Sequence, residues 1–146
     1  DYHAENLIWL PKRNKNKRVG LLDYQDALAG HPAYDLASLL KDARRDVSFK
    51  LRDELTHYFL KQTKFDKELF LRDYSILSAQ RNLKIIGIFA RLSIRDNKPG
   101  YLNLIPRVWK NLQDDLLHPS LTELSSFIKI NVPEPTVSTL QKINSV

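Results

Sequence analysis

Hydrophobic and polar positions follow two different patterns along this chain. Near its start, two short apolar segments at positions 7–10 and 19–24 flank a connection, PKRNKNKR, that is rich in turn-forming and charged residues. Two such segments around a short polar connection predict a β-hairpin. After position 30 the apolar residues recur every three or four positions, which predicts helices. The pattern indicates an α+β fold that is mainly α-helical, with a small hairpin followed by about five helices.

Apolar spacing and helix breakers set the limits of the predicted helices. They cover positions 32–43, 49–62, 67–95, 101–117 and 121–130. The third is the longest, and its apolar residues keep three-and-four spacing from Phe70 to Leu92. We expect it to be the central helix of the core, ended by Asn97 and Pro99. Positions 131–146 are predicted to form an extended arm with one last helical turn.

The composition narrows the class of protein without identifying it. A chain of 146 residues with 42% hydrophobic and 27% charged residues suits one globular domain. The absence of cysteine excludes disulfides and thiolate metal sites. The longest apolar run, at positions 85–90, is far shorter than the roughly 20 residues of a membrane-spanning helix. No signal-peptide pattern opens the chain, so we expect a cytoplasmic protein without a membrane partner.

The net charge suggests the kind of partner, and the first residue suggests that part of the protein is missing. The net charge of +6, from 23 basic and 17 acidic residues, favours anionic partners such as phosphates, nucleic acid or acidic sugars, without choosing among them. The chain contains no methionine and begins with Asp1. We therefore expect that a segment upstream of Asp1 is missing.

The first residues are spaced like the catalytic loop of a phosphoryl-transfer enzyme. Asp1 and Asn6 match D-x-x-x-x-N, the interval between the base and a metal-binding asparagine in kinases. Asp23 ends the second apolar segment, and a tight hairpin would return its carboxylate to the same end as Asn6. Oxygen ligands of this kind suit Mg²⁺. The interval alone is a weak signal, but its combination with a hairpin and a strand-end aspartate is stronger.

Three ordered blocks identify a family. DYHAENL, GLLDYQDA and GHPAYDLASLL resemble the aminoglycoside phosphotransferase-like kinases, a protein-kinase-like family with the motifs H-x-D-x-H-x-x-N, I-D-[FW]-x-D-A and G-D-P-A-Y-D-L. Further on, LKDARRDV, AQRNLKIIGIFARL and YLNLIPRVW are similar to one branch of that family, the bacterial kinases that phosphorylate N-acetylmuramate and N-acetylglucosamine at C1 during cell-wall recycling. The resemblance extends to about position 118.

The resemblance implies a role for each matching residue. Asp1 takes the place of the catalytic base, and Asn6 and Asp23 take the places of the two Mg²⁺ ligands, with ATP as the co-substrate. Asp35 occupies the position that braces the catalytic loop. His3 matches a second histidine of the family that shapes the loop or faces the substrate.

The resemblance also implies that this chain is only the C-terminal lobe of a bilobal kinase. Positions 1–30 would form the catalytic loop and metal-binding hairpin, 31–130 a helical substrate-binding subdomain, and 131–146 a C-terminal arm. The four glycines form neither G-x-G-x-x-G nor G-x-x-x-x-G-K, so no segment can cradle nucleotide phosphates. The partner we expect is the missing N-terminal nucleotide-binding lobe, and without it the chain should be inactive.

Several residues are candidates for substrate contacts. Arg81 lies on an apolar helical stripe and needs a partner; it either pairs with an acidic residue of another helix or binds the lactyl carboxylate of N-acetylmuramate. Arg44 and Arg45 are interpreted as a solvated helix end. Further candidates for sugar hydroxyls are Glu5, Gln25 and Asp26, of which Asp26 alternatively caps the turn.

Two alternatives to an amino-sugar kinase stay open. The same fold could phosphorylate another hydroxyl compound, such as an aminoglycoside or choline, although a polycation would require acidic groups and this helical region is basic. Alternatively, a non-catalytic remnant could bind nucleic acid or another anion through positions 12–18, which carry five basic residues. No aromatic residue is interleaved with these charges, and this argues against nucleic acid.

Overall fold

The hairpin and the helical region are both present in the structure, a computed structural model that describes residues 2–25 and 27–145. A 3₁₀ turn, Ala4–Asn6, precedes strand β1, Leu7–Trp9, which pairs antiparallel with β2, Val19–Leu21. The paired residues are Leu7 with Leu21, Ile8 with Gly20, and Trp9 with Val19. The fold is α+β and mainly helical, as the sequence predicts.

A glycine permits the close pairing at the middle of the hairpin. A Cβ atom at Gly20 would lie 2.7 Å from Cγ2 of Ile8 on the opposite strand. Any larger residue at position 20 would require the side chain of Ile8 to move.

Six α-helices follow the hairpin in the described part of the chain. They are α1, Pro32–Leu40; α2, Phe49–Gln62; α3, Lys67–Asp96; α4, Ile105–Asp115; α5, Thr122–Asn131; and α6, Val137–Asn144. The predicted fourth helix is divided, because a 3₁₀ segment, Pro99–Leu104, precedes α4, in whose first turn Pro106 lies. The first helix ends at Leu40 instead of at position 43.

Side-chain caps mark where α2, α3 and α6 begin. The hydroxyl of Ser48 accepts from the backbone N–H of Leu51 at the start of α2, and the carboxylate of Asp66 accepts from Leu69 at the start of α3. Thr136 caps α6 in the same way. Each cap satisfies a backbone donor that the first helical turn leaves without a partner.

The long helix α3 is central, as predicted, and it packs against α1, α4 and α6. Its buried residue Phe89 contacts Leu102, Ile105 and Val108 in one apolar cluster. Phe70 packs with residues of α1 in another cluster. In residues 2–25 and 27–145, no helix is both long enough and apolar enough to cross a membrane.

The C-terminal part differs from the predicted extended arm. It contains α6, whose residues Leu140 and Ile143 pack against the cluster around Phe89. Only these two apolar side chains of α6 pack against the core. Two apolar positions are too few to show a helical period in the sequence, so the two helical turns were not predicted. The division of the chain at positions 30 and 130 stays a prediction.

Candidate active site

The hairpin register places two predicted metal ligands beside each other. Asn6 directly precedes β1, and Asp23 follows β2 after Leu22. The backbone N–H of Leu22 donates to the carbonyl oxygen of Asn6 at 2.8 Å, which extends the strand pairing. Asn6 and Asp23 therefore line one cavity of about 270 Å³, together with Asp35 from the first turn of α1.

Asp23 has an uncommon backbone conformation. Its φ of 55° lies in the left-handed region, which aspartate and asparagine tolerate better than other residues with a side chain. Nε2 of Gln25 donates to Oδ1 of Asp23 at 2.6 Å, so the structure places this predicted sugar contact against the carboxylate. Because strained backbone is often retained at functional sites, the conformation supports the hypothesis that the orientation of Asp23 matters.

The oxygen donors of this cavity fit a hard divalent cation. Mg²⁺ is bound through one or two protein oxygen ligands, with water and substrate phosphates supplying the others. Asn6 and Asp23 offer one amide and one carboxylate group of this kind. Within residues 2–25 and 27–145, no three His, Cys, Asp or Glu side chains are grouped so as to hold a metal ion by themselves.

The structure describes only one of three further residues that the sequence predicts for the site. Asp1 and Asp26 lie outside the described residues, so their roles stay predictions. Asp35 lines the same cavity as Asn6 and Asp23, and its position in the first turn of α1 is favourable for a negative charge. Its role in bracing the catalytic loop also stays a prediction.

A second group of charged side chains surrounds the N-terminal turn, Ala4–Asn6. Asp42 is 1% exposed, and its carboxylate accepts from the backbone N–H of Ala4 at 3.2 Å and of Arg44 at 2.8 Å. Nε of Arg44 lies 3.1 Å from Oε2 of Glu5. Residues that follow α1 are therefore joined to this turn by a hydrogen bond and an ion pair.

The predicted substrate residues His3 and Arg81 belong to this group. Burial lowers the pKa of His3; Asp42 opposes that shift, whereas Arg44 and Arg81 add to it. His3 is therefore neutral at pH 7 and can donate or accept a hydrogen bond. Burial also lowers the pKa of Arg81, against the effects of Tyr34 and Asp42, and the guanidinium remains protonated.

The burial of Arg81 bears on the two interpretations of this residue. Arg81 is 5% exposed and lies in α3, and its charge interacts with that of Asp42. A buried guanidinium near a carboxylate favours the structural ion pair. The roles of Arg81, His3 and Glu5 towards a substrate stay predictions.

The expectation of a solvated helix end is wrong for Arg44. The helix α1 ends at Leu40, and Arg44 lies in the following segment with Glu5 as its ionic partner. Its guanidinium carbon also lies 6.0 Å from the ring centre of Phe89. The sequence pattern missed this arrangement because Glu5 is far away along the chain.

We call residues 41–46 the bridging segment, because they join the N-terminal turn to α4. Lys41 forms a buried ion pair with Asp115 of α4. The other carboxylate oxygen of Asp115 accepts from Ser78 at 2.7 Å and from Asn82 at 2.9 Å, both in α3. Burial raises the pKa of Asp115, and Lys41 is the first of the groups that oppose this shift.

A second connection fixes the other end of the bridging segment. Arg107 of α4 donates to both carboxylate oxygens of Asp46, at 2.7 and 3.0 Å, and to the carbonyl oxygen of Ala43 at 3.0 Å. Ala43 itself is buried with the cluster around Phe89. The segment that supports the N-terminal turn is thus anchored to the helical core at both ends.

Sequence reasoning missed the role of Lys41, Asp42 and Asp115. One signal was available, because Asp115 falls on the same face of its helix as Leu112, and both are buried. A carboxylate on an apolar helix face needs a partner. Its partner Lys41 is 74 positions away, so the sequence does not indicate which lysine it is.

The basic connection of the hairpin is exposed, and it carries one aromatic contact that the sequence pattern did not reveal. The guanidinium carbon of Arg18 lies 5.8 Å from the ring centre of Trp9, which is 61% exposed. Nε of Arg18 also donates to the carbonyl oxygen of Arg13 at 2.8 Å. This surface is separate from the cavity at Asn6.

An amide and a carboxylate oxygen at one cavity are of the same ligand types that phosphoryl-transfer enzymes use for metal ions. Residues 1–74 match the model of the Phosphotransferase enzyme family. The chain belongs to this family, and the family resemblance stated from its motifs is confirmed.

The chain is also similar to several curated kinases. It is 47% identical over 137 residues to an N-acetylmuramate/N-acetylglucosamine kinase of Caulobacter vibrioides, a match that covers 93% of this chain and 38% of that relative. It is 38% identical over 138 residues to a kinase of the same name from Pseudomonas aeruginosa, covering 88% of this chain and 39% of the relative. A Pseudomonas putida kinase of this name is 34% identical over 138 residues, with the same coverage. The chain thus spans less than half the length of these relatives.

Proposed function

We propose that this chain forms the metal-binding and substrate-binding lobe of an ATP- and Mg²⁺-dependent kinase that phosphorylates the anomeric hydroxyl of N-acetylmuramate or N-acetylglucosamine. The observation that carries the proposal is the pairing of β1 with β2, which brings Asn6 and Asp23 to one cavity. The names of the relatives support these two sugars. We place the activity in the bacterial cytoplasm, in cell-wall recycling.

The proposed chemistry gives a role to Asp1, to Asn6 and Asp23, and to Asp35. Asp1 accepts the proton of the anomeric hydroxyl while that oxygen forms a bond to the γ-phosphorus and the bond to the β–γ bridging oxygen breaks. Asn6 and Asp23 would hold Mg²⁺, which would supply charge neutralisation for the phosphates. Asp35 braces the loop that carries Asp1 and Asn6.

The sugar side of the site is proposed to involve the residues around the N-terminal turn. Neutral His3 can hydrogen-bond a sugar hydroxyl in either direction. Glu5 adjoins Asn6, and the charge of Arg81 acts on His3 and interacts with that of Asp42. Gln25 and Asp26 complete the proposed set at the end of the hairpin.

The nucleotide clamp is proposed to come from a second lobe. Protein kinases cover the phosphates of ATP with a glycine-rich loop, and the glycines at positions 20, 30, 87 and 100 form no such loop here. The curated relatives are more than twice as long as the stretch that this chain matches. An N-terminal lobe of such a kinase would supply the clamp.

The proposal is tested on the full-length gene product that contains this chain. It is incubated with ATP and Mg²⁺ and with each sugar separately, and ADP release and phosphorus NMR measure transfer to C1. An aminoglycoside and choline serve as comparison substrates in the same assay. Transfer to one of these compounds, with none to either amino sugar, would replace the proposed substrate; turnover by residues 1–146 alone would contradict the requirement for a second lobe.

A second candidate function is the binding of nucleic acid through positions 12–18, and the contact of Arg18 with the exposed Trp9 favours it. Stacking on an aromatic side chain beside basic residues is common in single-strand binding. Binding of RNA or DNA that falls steeply with salt, and that is lost when Lys15 and Lys17 are replaced by glutamine, would support this function.

A further inference from the structure

A second cavity, of about 290 Å³, lies next to the bridging segment. Its lining includes Arg44, Lys98 and Tyr101, and none of its described lining residues belongs to the cavity at Asn6 and Asp23. Two basic side chains at one cavity supply hydrogen-bond donors and positive charge suited to a carboxylate.

Arg44 is held in a defined orientation at this cavity. Its backbone N–H is bound by Asp42, its Nε faces Glu5, and its guanidinium lies over the ring of Phe89. Glu5 engages the Nε side of a group that has five N–H donors in a planar fork. Such a fork can bind a second carboxylate in a bidentate manner without losing much conformational freedom.

The end of α3 determines the position of Lys98. Asn97 takes a left-handed conformation with φ of 50°, and the backbone N–H of Lys98 donates to the carbonyl oxygen of Leu92 at 3.1 Å. This cap ends α3, so that Lys98 directly precedes the 3₁₀ segment Pro99–Leu104, residues of which also line the cavity. The neighbouring carboxylate of Asp96 is bound by Arg95 at 2.7 and 3.1 Å, so its charge is matched within α3.

The location of this cavity agrees with the shape of one substrate. N-acetylmuramate differs from N-acetylglucosamine by a lactyl ether at C3 that ends in a carboxylate. C3 is two ring atoms away from C1, so the lactyl group extends to the side of the reacting hydroxyl, and a subsite for it is expected beside the metal cavity and not in it. Arg44 satisfies that requirement, because its partner Glu5 adjoins the predicted metal ligand Asn6.

We propose that the cavity between Arg44 and Lys98 binds the lactyl carboxylate of N-acetylmuramate, an assignment that rests on the proposed sugar-kinase function. Exposure distinguishes these residues from Arg81. The side chain of Arg44 is 32% exposed and Lys98 is exposed, whereas Arg81 is 5% exposed. A ligand can therefore reach Arg44 and Lys98 without breaking up a buried group of charges.

The test uses Lys98, since Arg44 also contacts the N-terminal turn. In the full-length gene product, calorimetry measures the Kd of each sugar, and a coupled assay measures kcat/KM for each. We expect Lys98→Ala to lower the preference for N-acetylmuramate over N-acetylglucosamine about tenfold, as for a lost hydrogen bond to a charged group. Lys98→Glu should lower it further, and Lys98→Arg should restore it. Lys61→Ala, at an exposed lysine of α2, is the matched control and should leave the preference unchanged.

Every outcome decides between the two proposals. If the preference is unchanged in Lys98→Ala and Lys98→Glu, the subsite is overturned while the kinase function stands. If the sugars bind with a preference that depends on Lys98 but are not phosphorylated, the subsite stands and the kinase function fails. If the wild-type protein neither binds nor phosphorylates either sugar, both proposals are overturned.

Discussion

The carboxylate of Asp42 accepts a hydrogen bond from the backbone N–H of Ala4 at 3.2 Å, across 38 positions of the chain. Its other oxygen accepts from the backbone N–H of Arg44. One buried side chain thus joins the bridging segment to the turn that ends in Asn6. The position of this predicted metal ligand therefore depends on a carboxylate that does not line the metal cavity.

Replacing Asp42 tests that dependence. In Asp42→Asn, one of the two acceptors becomes an NH₂ group that faces an N–H donor, so one hydrogen bond is lost. We expect the free energy of unfolding to fall by about 2 kcal/mol. We also expect kcat and kcat/KM to fall, because a shift of the turn displaces the predicted metal ligand Asn6 together with the proposed sugar contacts His3 and Glu5. Urea denaturation and steady-state kinetics of the full-length protein measure the two effects.

The bridging segment supplies a matched control for this experiment. Asp46 is also an aspartate of the segment, but its side chain is 82% exposed. Asp46→Asn should therefore change the unfolding free energy much less than Asp42→Asn does. If Asp42→Asn behaves like Asp46→Asn in both stability and kcat, Asp42 does not position the turn.

The buried pair of Lys41 and Asp115 provides a second prediction. Lys41→Met removes the cation and leaves a buried carboxylate, which is expected to reduce the unfolding free energy by about 3 kcal/mol at pH 7. The double variant Lys41→Met with Asp115→Asn should recover most of this loss, because it removes both charges while the amide oxygen at position 115 can still accept from Ser78 and Asn82. Lys110→Met, at an exposed lysine of α4, serves as the control for the change of lysine to methionine.

The loss in Lys41→Met should depend on pH with a definite sign. Burial already raises the pKa of Asp115 from 3.8, and Lys41 opposes this shift, so its removal raises the native pKa further. A native pKa above the unfolded value stabilises the protein at low pH, and that stabilisation is lost as the pH rises. The deficit of Lys41→Met relative to wild type should therefore be smaller at pH 5 than at pH 7. An equal or larger deficit at pH 5 would show that Asp115 is not the group concerned.

Local sequence patterns predicted the residues at the two ends of the hairpin. They did not predict the supporting contacts, which join residues that are far apart along the chain. Asn6 and Asp23 could be predicted as neighbours because a tight hairpin brings its two ends together. Asp42 and Asp115 could not, because their partners are 38 and 74 positions away. An isolated aspartate in a sequence carries no information about which backbone group or lysine it will meet.

The left-handed conformation of Asp23 permits a test of its charge alone. Asparagine tolerates this conformation as aspartate does, so Asp23→Asn should leave the unfolding free energy nearly unchanged. We expect kcat to fall at least about 100-fold, because an electrostatic contact to the transferring phosphate through Mg²⁺ is lost. Kinetics over a range of Mg²⁺ concentrations, with thermal unfolding as the stability check, measures this. A kcat that stays within a few-fold of wild type would remove Asp23 from the metal site.

His3 should make the stability of the protein depend on pH near neutrality. Its pKa of 6.5 in the unfolded chain is lowered in the folded protein, chiefly by burial. Below pH 6.5 the unfolded chain therefore binds more protons than the folded one, and stability falls as the pH decreases towards the native pKa. His3→Gln should reduce this loss, whereas His57→Gln, at an exposed histidine of α2, should leave it nearly unchanged.

Urea denaturation at pH 7.5, 6.5 and 5.5, all chosen around the unfolded pKa, compares the three proteins. If the wild type and His3→Gln lose stability in parallel over this interval, the histidine is not buried in a neutral form, and the proposed hydrogen bonding of neutral His3 to the sugar loses its basis.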